Sequence, residues 1–151
     1  MPMKTLISKL FGSLAIIALT STAALAAAGW DDDYDKAVAQ AKADKKMVLL
    51  DFTGSDWCGW CIKLDKEVFS KPEFKSYAKD NLVLVVVDFP QGKQQTKKLK
   101  EQNEKLKNEH GIKGYPTIIV LNSEGKKVGQ LGYMEGGPKA FIAALDKLKT
   151  K

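Results

Sequence analysis

Two observations predict that most of this 151-residue chain folds as an α/β domain with a mixed central β-sheet flanked by helices. Short apolar runs of strand length alternate with longer amphipathic stretches, which indicates strands separated by helices. The last two strand-like runs are instead separated by a hairpin-length turn, so we expect that pair to be antiparallel. The composition, 44% apolar and 28% charged, argues against a disordered chain and against a polytopic membrane protein.

Each predicted element has its own local signal. Continuous apolar runs predict buried strands, and apolar residues three or four apart predict helices. Gly111 is placed to end the polar helix before it, as a C-terminal glycine does. In chain order we predict a helix over 34–44, a strand over 47–52, a helix after the cysteine pair to about Ser70, a short helix from Pro72, a strand over 82–87, a polar helix over 93–109, strands over 117–121 and 127–133, and a last helix after Pro138.

The residues around the first two helices carry three further signals, one of charge and two of burial. The acidic residues 31–33 suit the N-terminus of the first helix, where negative charge is favourable. Ile62, Leu64 and Val68 are expected on the buried side of the helix that follows the cysteine pair. Trp30 is expected to be an exposed aromatic residue.

The first 28 residues have the three parts of a secretory signal peptide. Basic residues precede a short apolar run, and small residues with an Ala-x-Ala exit follow. We therefore expect a signal peptide over 1–26, cleaved after Ala26 or Ala28, and one folded domain over 27–151 in the periplasm or outside the cell. The alternative is an uncleaved membrane anchor, although the apolar run is short beside the roughly 20 residues that a span needs.

Charge and residue counts exclude several other classes. The 24 basic and 18 acidic residues give a net charge of +6. Two lysines lie in the predicted signal peptide, so the domain carries 22 minus 18, or +4. Together with export, this argues against a nucleic acid partner. Two cysteines and one histidine exclude a multi-disulfide scaffold and a closed Cys/His zinc site, and we expect neither a metal nor a cofactor. A chain of one domain is compatible with a monomer.

The polar stretch 93–109 contains six lysines with interleaved glutamates. We interpret it as a solvated helix face, since glutamate and lysine four residues apart stabilise an exposed helix. The alternative is a surface that binds a membrane or a partner protein.

The chemistry of the chain depends on Cys58 and Cys61. A Cys-x-x-Cys motif between a strand and a helix places the first sulfur at the helix N-terminus, where free N–H groups and the helix dipole favour the thiolate. Cys58 would attack a partner's disulfide, and Cys61 would then displace the product. An inert structural disulfide and half of a metal site shared with a second chain are the alternatives.

Three stretches carry a resemblance to a known family. Residues 47–61, ending in Asp-Trp-Cys-Gly-Trp-Cys, resemble the active-site segment of the thioredoxin superfamily. Residues 111–117, with Gly-Tyr-Pro-Thr, look like that family's cis-proline loop, and a closing hairpin and helix complete a likeness over 34–149. The segments 52–58 and 87–90 look most like secreted bacterial thioredoxin-like proteins, which are related to the C-terminal domain of the thiol:disulfide interchange reductase.

The resemblance implies roles for individual residues. It makes Cys58 the nucleophile, Cys61 the resolving thiol and Pro116 a cis residue beside them. Asp51 would accept the proton of Cys61, and burial in an apolar strand should raise its pKa. The alternative is that Asp51 is an acid at the end of the strand whose side chain reaches water. The residues expected to contact substrate are Trp57, Gly59, Trp60, Tyr115, Pro116 and Thr117.

Some residues depart from the family pattern. One extra residue separates Asp51 from Cys58, and Leu84 stands where related proteins carry a lysine beside the buried acid. The dipeptide between the cysteines is Gly59-Trp60, without the histidine of the strongly oxidising periplasmic enzymes.

We therefore expect an exported thiol–disulfide oxidoreductase that acts on protein thiols and disulfides, as a reductase or isomerase rather than an oxidant. Its electrons would come from a membrane-linked donor. Two hypotheses from other classes stay open, namely a non-catalytic binding module of the same fold and a chaperone for metal or cytochrome maturation.

Overall fold

The computed structural model describes residues 29–149, which form a five-stranded mixed sheet with helices packed on both faces. The predicted signal peptide lies outside the described residues. No helix within 29–149 is long and apolar enough to cross a membrane. In chain order the elements are β1 (Trp30–Asp31), α1 (Tyr34–Asp44), β2 (Met47–Thr53), α2 (Gly59–Leu64, continued by a π-helical turn over Asp65–Phe69), α3 (Pro72–Asn81), β3 (Leu82–Asp88), α4 (Lys97–Glu109), β4 (Thr117–Leu121), β5 (Lys127–Leu131) and α5 (Gly137–Lys149).

Strand β2 lies in the middle of the sheet, whose strand order is β1-β3-β2-β4-β5. It pairs in parallel with β3 and antiparallel with β4, and β4 pairs antiparallel with β5. The predicted mixed sheet and its terminal hairpin are thereby confirmed. The two-residue strand β1, which the sequence analysis missed, pairs in parallel with β3 and places Trp30 opposite Leu84.

Each face of the sheet carries its own apolar core, because alternate residues of a strand point to opposite faces. Leu49 belongs to one core, which includes the rings of Phe74 and Phe141. Leu50 belongs to the other, which α1 and α4 cover with residues such as Leu106. Burial on both faces explains why β2 has an almost uninterrupted apolar sequence.

The helix boundaries agree with the predictions except at three starts. Helix α2 begins at Gly59, between the cysteines, α5 begins at Gly137, one residue before Pro138, and α4 begins later than predicted. The Asp33 carboxylate accepts the N–H of Lys36 at 3.1 Å, which confirms an acidic N-terminus for α1. Helix α4 begins at Lys97 rather than Lys93, because the Thr96 hydroxyl caps it by accepting the N–H of Leu99 at 3.2 Å. Strand β5 ends at Leu131, two residues earlier than predicted.

Two predictions about burial are wrong. Ile62 is 50% exposed, since the buried stripe of α2 consists of Cys61, Leu64 and Val68, and Ile62 lies about 100° away from Cys61 around the helix. Trp30 is half-buried, because its ring packs against Phe69 with centroids 5.1 Å apart.

Candidate active site

The two cysteines lie at the start of α2, directly after the turn that follows β2. Cys58 is the N-cap residue, and its sulfur accepts the N–H of Cys61 at 3.3 Å. The pair forms a disulfide with Cα atoms 5.3 Å apart. Cys58 is 7% exposed and Cys61 is 5% exposed, so the disulfide lies in a largely covered position.

The turn before Cys58 is shaped by Gly54 and Trp57. The carbonyl of Gly54 accepts the N–H of Cys58 at 2.9 Å, and the indole of Trp57 packs over the glycine. A Cβ at position 54 would overlap the Trp57 ring, which packing does not allow. The turn therefore requires glycine there. The indole N–H of Trp57 donates to the carbonyl of Phe89 at 2.8 Å, which ties the turn to the segment after β3.

The predicted cis-proline loop lies beside this turn. The Tyr115–Pro116 peptide bond is cis, as the resemblance implied. Thr117 begins β4 opposite Phe52 of β2, and this pairing brings the loop to the end of the sheet from which the cysteines follow. Trp57 contacts Tyr115 edge to face, with ring centroids 5.8 Å apart.

Asp51 and Cys61 line one cavity of about 480 Å³ on the inner side of α2. Oδ1 of Asp51 is buried and has no hydrogen-bond partner among residues 29–149. Burial raises the pKa of Asp51 to about 8, and the neighbouring charges of Asp65 and Asp88 add to the rise. None of the lysines within 29–149 lines the cavity, whose other lining residues are Trp30, Thr53, Ser55, Ile62, Asp65 and Val86.

Trp60 and Gly59 lie on the open side of α2. Trp60 is 58% exposed and packs against Tyr133 with ring centroids 5.0 Å apart, while the ammonium of Lys63 lies within 5.0 Å of both rings. Apart from its chain neighbours and the backbone of its own helix, no atom of residues 29–149 lies within 4 Å of a Cβ built on Gly59, so the surface above it is open. Both residues are therefore accessible beside the cysteines.

The sequence analysis missed the contribution of the segment after β3. Phe89 packs against Tyr115 with ring centroids 5.4 Å apart. The Asp88 carboxylate accepts both the N–H and the hydroxyl of Ser55, at 2.9 and 2.6 Å. These contacts join residues more than 25 positions apart, which no local sequence pattern could indicate.

A Cys-x-x-Cys disulfide at the start of a helix, beside a cis-proline loop on a mixed sheet, defines a thiol–disulfide oxidoreductase. No group of three or more His, Cys, Asp and Glu side chains within 29–149 is arranged to hold a metal ion. The family model described as a thioredoxin-like domain matches residues 34–149. The chain therefore belongs to the thioredoxin-like family.

Comparison with characterised proteins supports the assignment to this family. The chain is 37% identical over 127 residues to the disulfide bond reductase DsbH of Chlamydia pneumoniae, covering 83% of this chain and 76% of DsbH. It is 36% identical over 86 residues to the thiol:disulfide interchange protein DsbD of Photorhabdus laumondii, covering 55% of this chain but only 13% of DsbD. A solved structure titled DsbH oxidoreductase is similar with a TM-score of 0.75 and 35% identity, covering 79% of this chain and 82% of that one.

Proposed function

We propose that the protein is an exported reductase or isomerase of protein disulfides, with Cys58 as its nucleophile. The observation that carries this proposal is the position of Cys58 as N-cap of α2, where its sulfur already accepts a backbone N–H at 3.3 Å. A thiolate there is stabilised by the helix N-terminus. The name of the relative DsbH, a disulfide bond reductase, supports the direction of exchange.

The reaction proceeds in two displacements. The Cys58 thiolate attacks a substrate disulfide, forms a mixed disulfide and releases the first substrate sulfur as a thiolate. Cys61 loses its proton and attacks the sulfur of Cys58, which forms the Cys58–Cys61 disulfide and releases the second substrate thiolate. The substrate gains two electrons and the protein loses two. A dithiol donor, which we expect to be membrane-linked, must then reduce the protein again.

Asp51 is proposed to accept the proton of Cys61, because both residues line the same cavity. With a pKa of about 8, roughly a tenth of the Asp51 side chains are ionised at pH 7, and a base is most effective when its pKa lies near the working pH. The cavity also gives the proton a route away from the buried carboxyl.

Substrate would be bound on the open side of the cysteines. Trp57 and Trp60 are 41% and 58% exposed on either side of Cys58, and Gly59 leaves the space between them free. The loop of Tyr115, Pro116 and Thr117 would pair its backbone with an extended substrate segment.

The direct test compares cysteine variants in insulin-disulfide reduction. Cys58→Ser should abolish turnover while the circular dichroism spectrum stays unchanged, and Cys61→Ser should accumulate a mixed disulfide with the substrate. Unchanged turnover by Cys58→Ser would refute the mechanism. Binding of a partner that persists when both cysteines are serine, without any turnover by the wild type, would favour a non-catalytic binding module.

The direction of exchange is tested by the reduction potential of the cysteine pair. Equilibration in graded thiol buffers, followed by alkylation and mass measurement, gives this value. A potential near about −270 mV, as in thioredoxin, supports a reductase, whereas one near about −120 mV identifies an oxidant.

Export is tested by the N-terminus of the protein recovered from cells. Mass spectrometry of the periplasmic fraction should find a chain that begins at residue 27 or 29. A membrane-bound protein that retains residues 1–26 would instead support the uncleaved anchor.

A further inference from the structure

The segment after β3 is fixed to the active-site turn by several hydrogen bonds. The Asp56 carboxylate accepts the N–H groups of Gln91 and Gly92 at 3.0 and 2.6 Å. The indole of Trp57 donates to the carbonyl of Phe89, and the N–H of Phe89 donates to the carbonyl of Thr53 at 2.9 Å. Phe89 is thus held at a defined position relative to the cysteines.

This position extends the aromatic surface beside Cys58. The rings of Trp57, Tyr115 and Phe89 contact one another in that order, with centroids 5.8 and 5.4 Å apart, and we call these three residues the aromatic shelf. Trp57 is 41% exposed, and the other two rings are half-buried. The shelf begins at Trp57, directly before the nucleophile, and its three rings form one continuous aromatic surface beside the cysteines.

The Phe89 ring of the shelf lies beside a lysine that has no carboxylate partner in the described part of the chain. The ammonium of Lys107 is 5.3 Å from the centroid of the Phe89 ring and forms no ion pair within 29–149. In contrast, Lys97 and Lys105 on the same helix each lie 3.7 Å from a glutamate four residues later. The charge of Lys107 is therefore available to a group that lies along the shelf.

We propose that the aromatic shelf and Lys107 form a docking surface that selects partner polypeptides with acidic side chains near their reacting cysteine. The inference rests on the proposed function and specifies the substrates of that site. The apolar part of the partner segment lies along the rings, and its carboxylate pairs with Lys107. Complementary charge of this kind adds selectivity between partners.

The test uses quenched peptide disulfides of equal length that carry three glutamates or three glutamines next to the cysteine. The wild-type protein should reduce the glutamate peptide with a kcat/KM about two- to five-fold higher, the effect of one exposed ion pair. The difference should lie in KM and decrease with added salt, because exposed charges are screened.

Two lysine variants distinguish a local site from general attraction. Lys107→Gln should remove the preference for the glutamate peptide. Lys98→Gln makes the same change in net charge at the opposite end of α4, beside Asp32 and Asp33, and should retain the preference. Phe89→Ala should raise KM for both peptides. The proposed docking surface would be refuted if Lys107→Gln and Lys98→Gln reduced the preference for the glutamate peptide equally. It would also be refuted if the wild type reduced both peptides at the same rate.

Two further measurements separate this inference from the proposed function. Reduction of the neutral hydroxyethyl disulfide should be the same for the wild type and Lys107→Gln, since this small substrate has no carboxylate that could pair with Lys107. Affinities of both peptides for the variant with Cys58 and Cys61 replaced by serine report docking without turnover. Equal affinities there refute the docking surface, whereas a wild type that reduces no disulfide refutes the proposed function.

Discussion

Replacement of the buried acid by its amide, Asp51→Asn, should stabilise the protein, and more so at higher pH. The folded state holds the Asp51 proton up to a pKa of about 8, while the unfolded chain releases it near the ordinary value of 3.8. Between these two pH values the unfolded state binds fewer protons than the folded state, so the free energy of unfolding falls as pH rises. Asparagine does not titrate, so the unfolding free energy of the Asp51→Asn variant does not fall with pH for this reason.

The size of the effect follows from the two pKa values of Asp51. Each pH unit between them costs the wild type about 1.36 kcal/mol. At pH 7, which is 3.2 units above 3.8, the titration of Asp51 therefore lowers the unfolding free energy of the wild type by about 4 kcal/mol. At pH 5 the same reasoning gives about 2 kcal/mol. The difference in unfolding free energy between Asp51→Asn and the wild type should thus grow by about 2 to 3 kcal/mol from pH 5 to pH 7.

Urea unfolding of both proteins in the disulfide form, followed by tryptophan fluorescence at pH 5, 6 and 7, measures this difference. The variant Asp80→Asn, which makes the same substitution at an exposed position, is measured in parallel as the control. A difference for Asp51→Asn that does not change with pH would show that the carboxyl ionises normally, and the proposed proton transfer from Cys61 would lose its basis.

Three other predictions concern the elements that hold the site. Phe141→Ala should lower the unfolding free energy by about 3–5 kcal/mol, because the ring is fully buried; Phe141→Leu should cost much less, as urea titration can show. Thr96→Ala should cost about 1 kcal/mol by removing the cap of α4, whereas Thr96→Asn restores the acceptor, and equal losses would exclude capping as the cause. Trp57→Phe removes the donor to the Phe89 carbonyl, and amide exchange of Phe89, Gln91 and Gly92 should accelerate while that of β2 stays unchanged.

Most elements of the fold could be predicted because their signals are local. The apolar run of β2 and the helical spacing of α1 and α5 depend on neighbouring residues only. Strand β1 could not be found this way, since two residues have no period and the strand exists only through its pairing with β3. The start of α4 was misplaced because residues 93–96 have helical composition, but contacts with distant residues hold the segment before Thr96 in a loop.

The sequence predicts those parts of the candidate site that belong to the cysteine motif and the proline loop. The positions of Cys58 and Pro116 agree with the resemblance, and the cis peptide bond is present. Ile62 was assigned to the core by its apolar character rather than its angle on the helix, and it is exposed instead. Phe89 and Lys107 could not be assigned, because their relation to the cysteines depends on the folded loop.

The central position of β2 has a consequence for how the protein opens. Its backbone is hydrogen-bonded to strands on both sides, whereas β1 and β5 form the edges of the sheet. In hydrogen–deuterium exchange the edges should lose protection first, and the strand that leads into the cysteines should exchange last. Partial opening at an edge therefore leaves the strand that leads into the cysteines hydrogen-bonded on both sides while other parts of the molecule fluctuate.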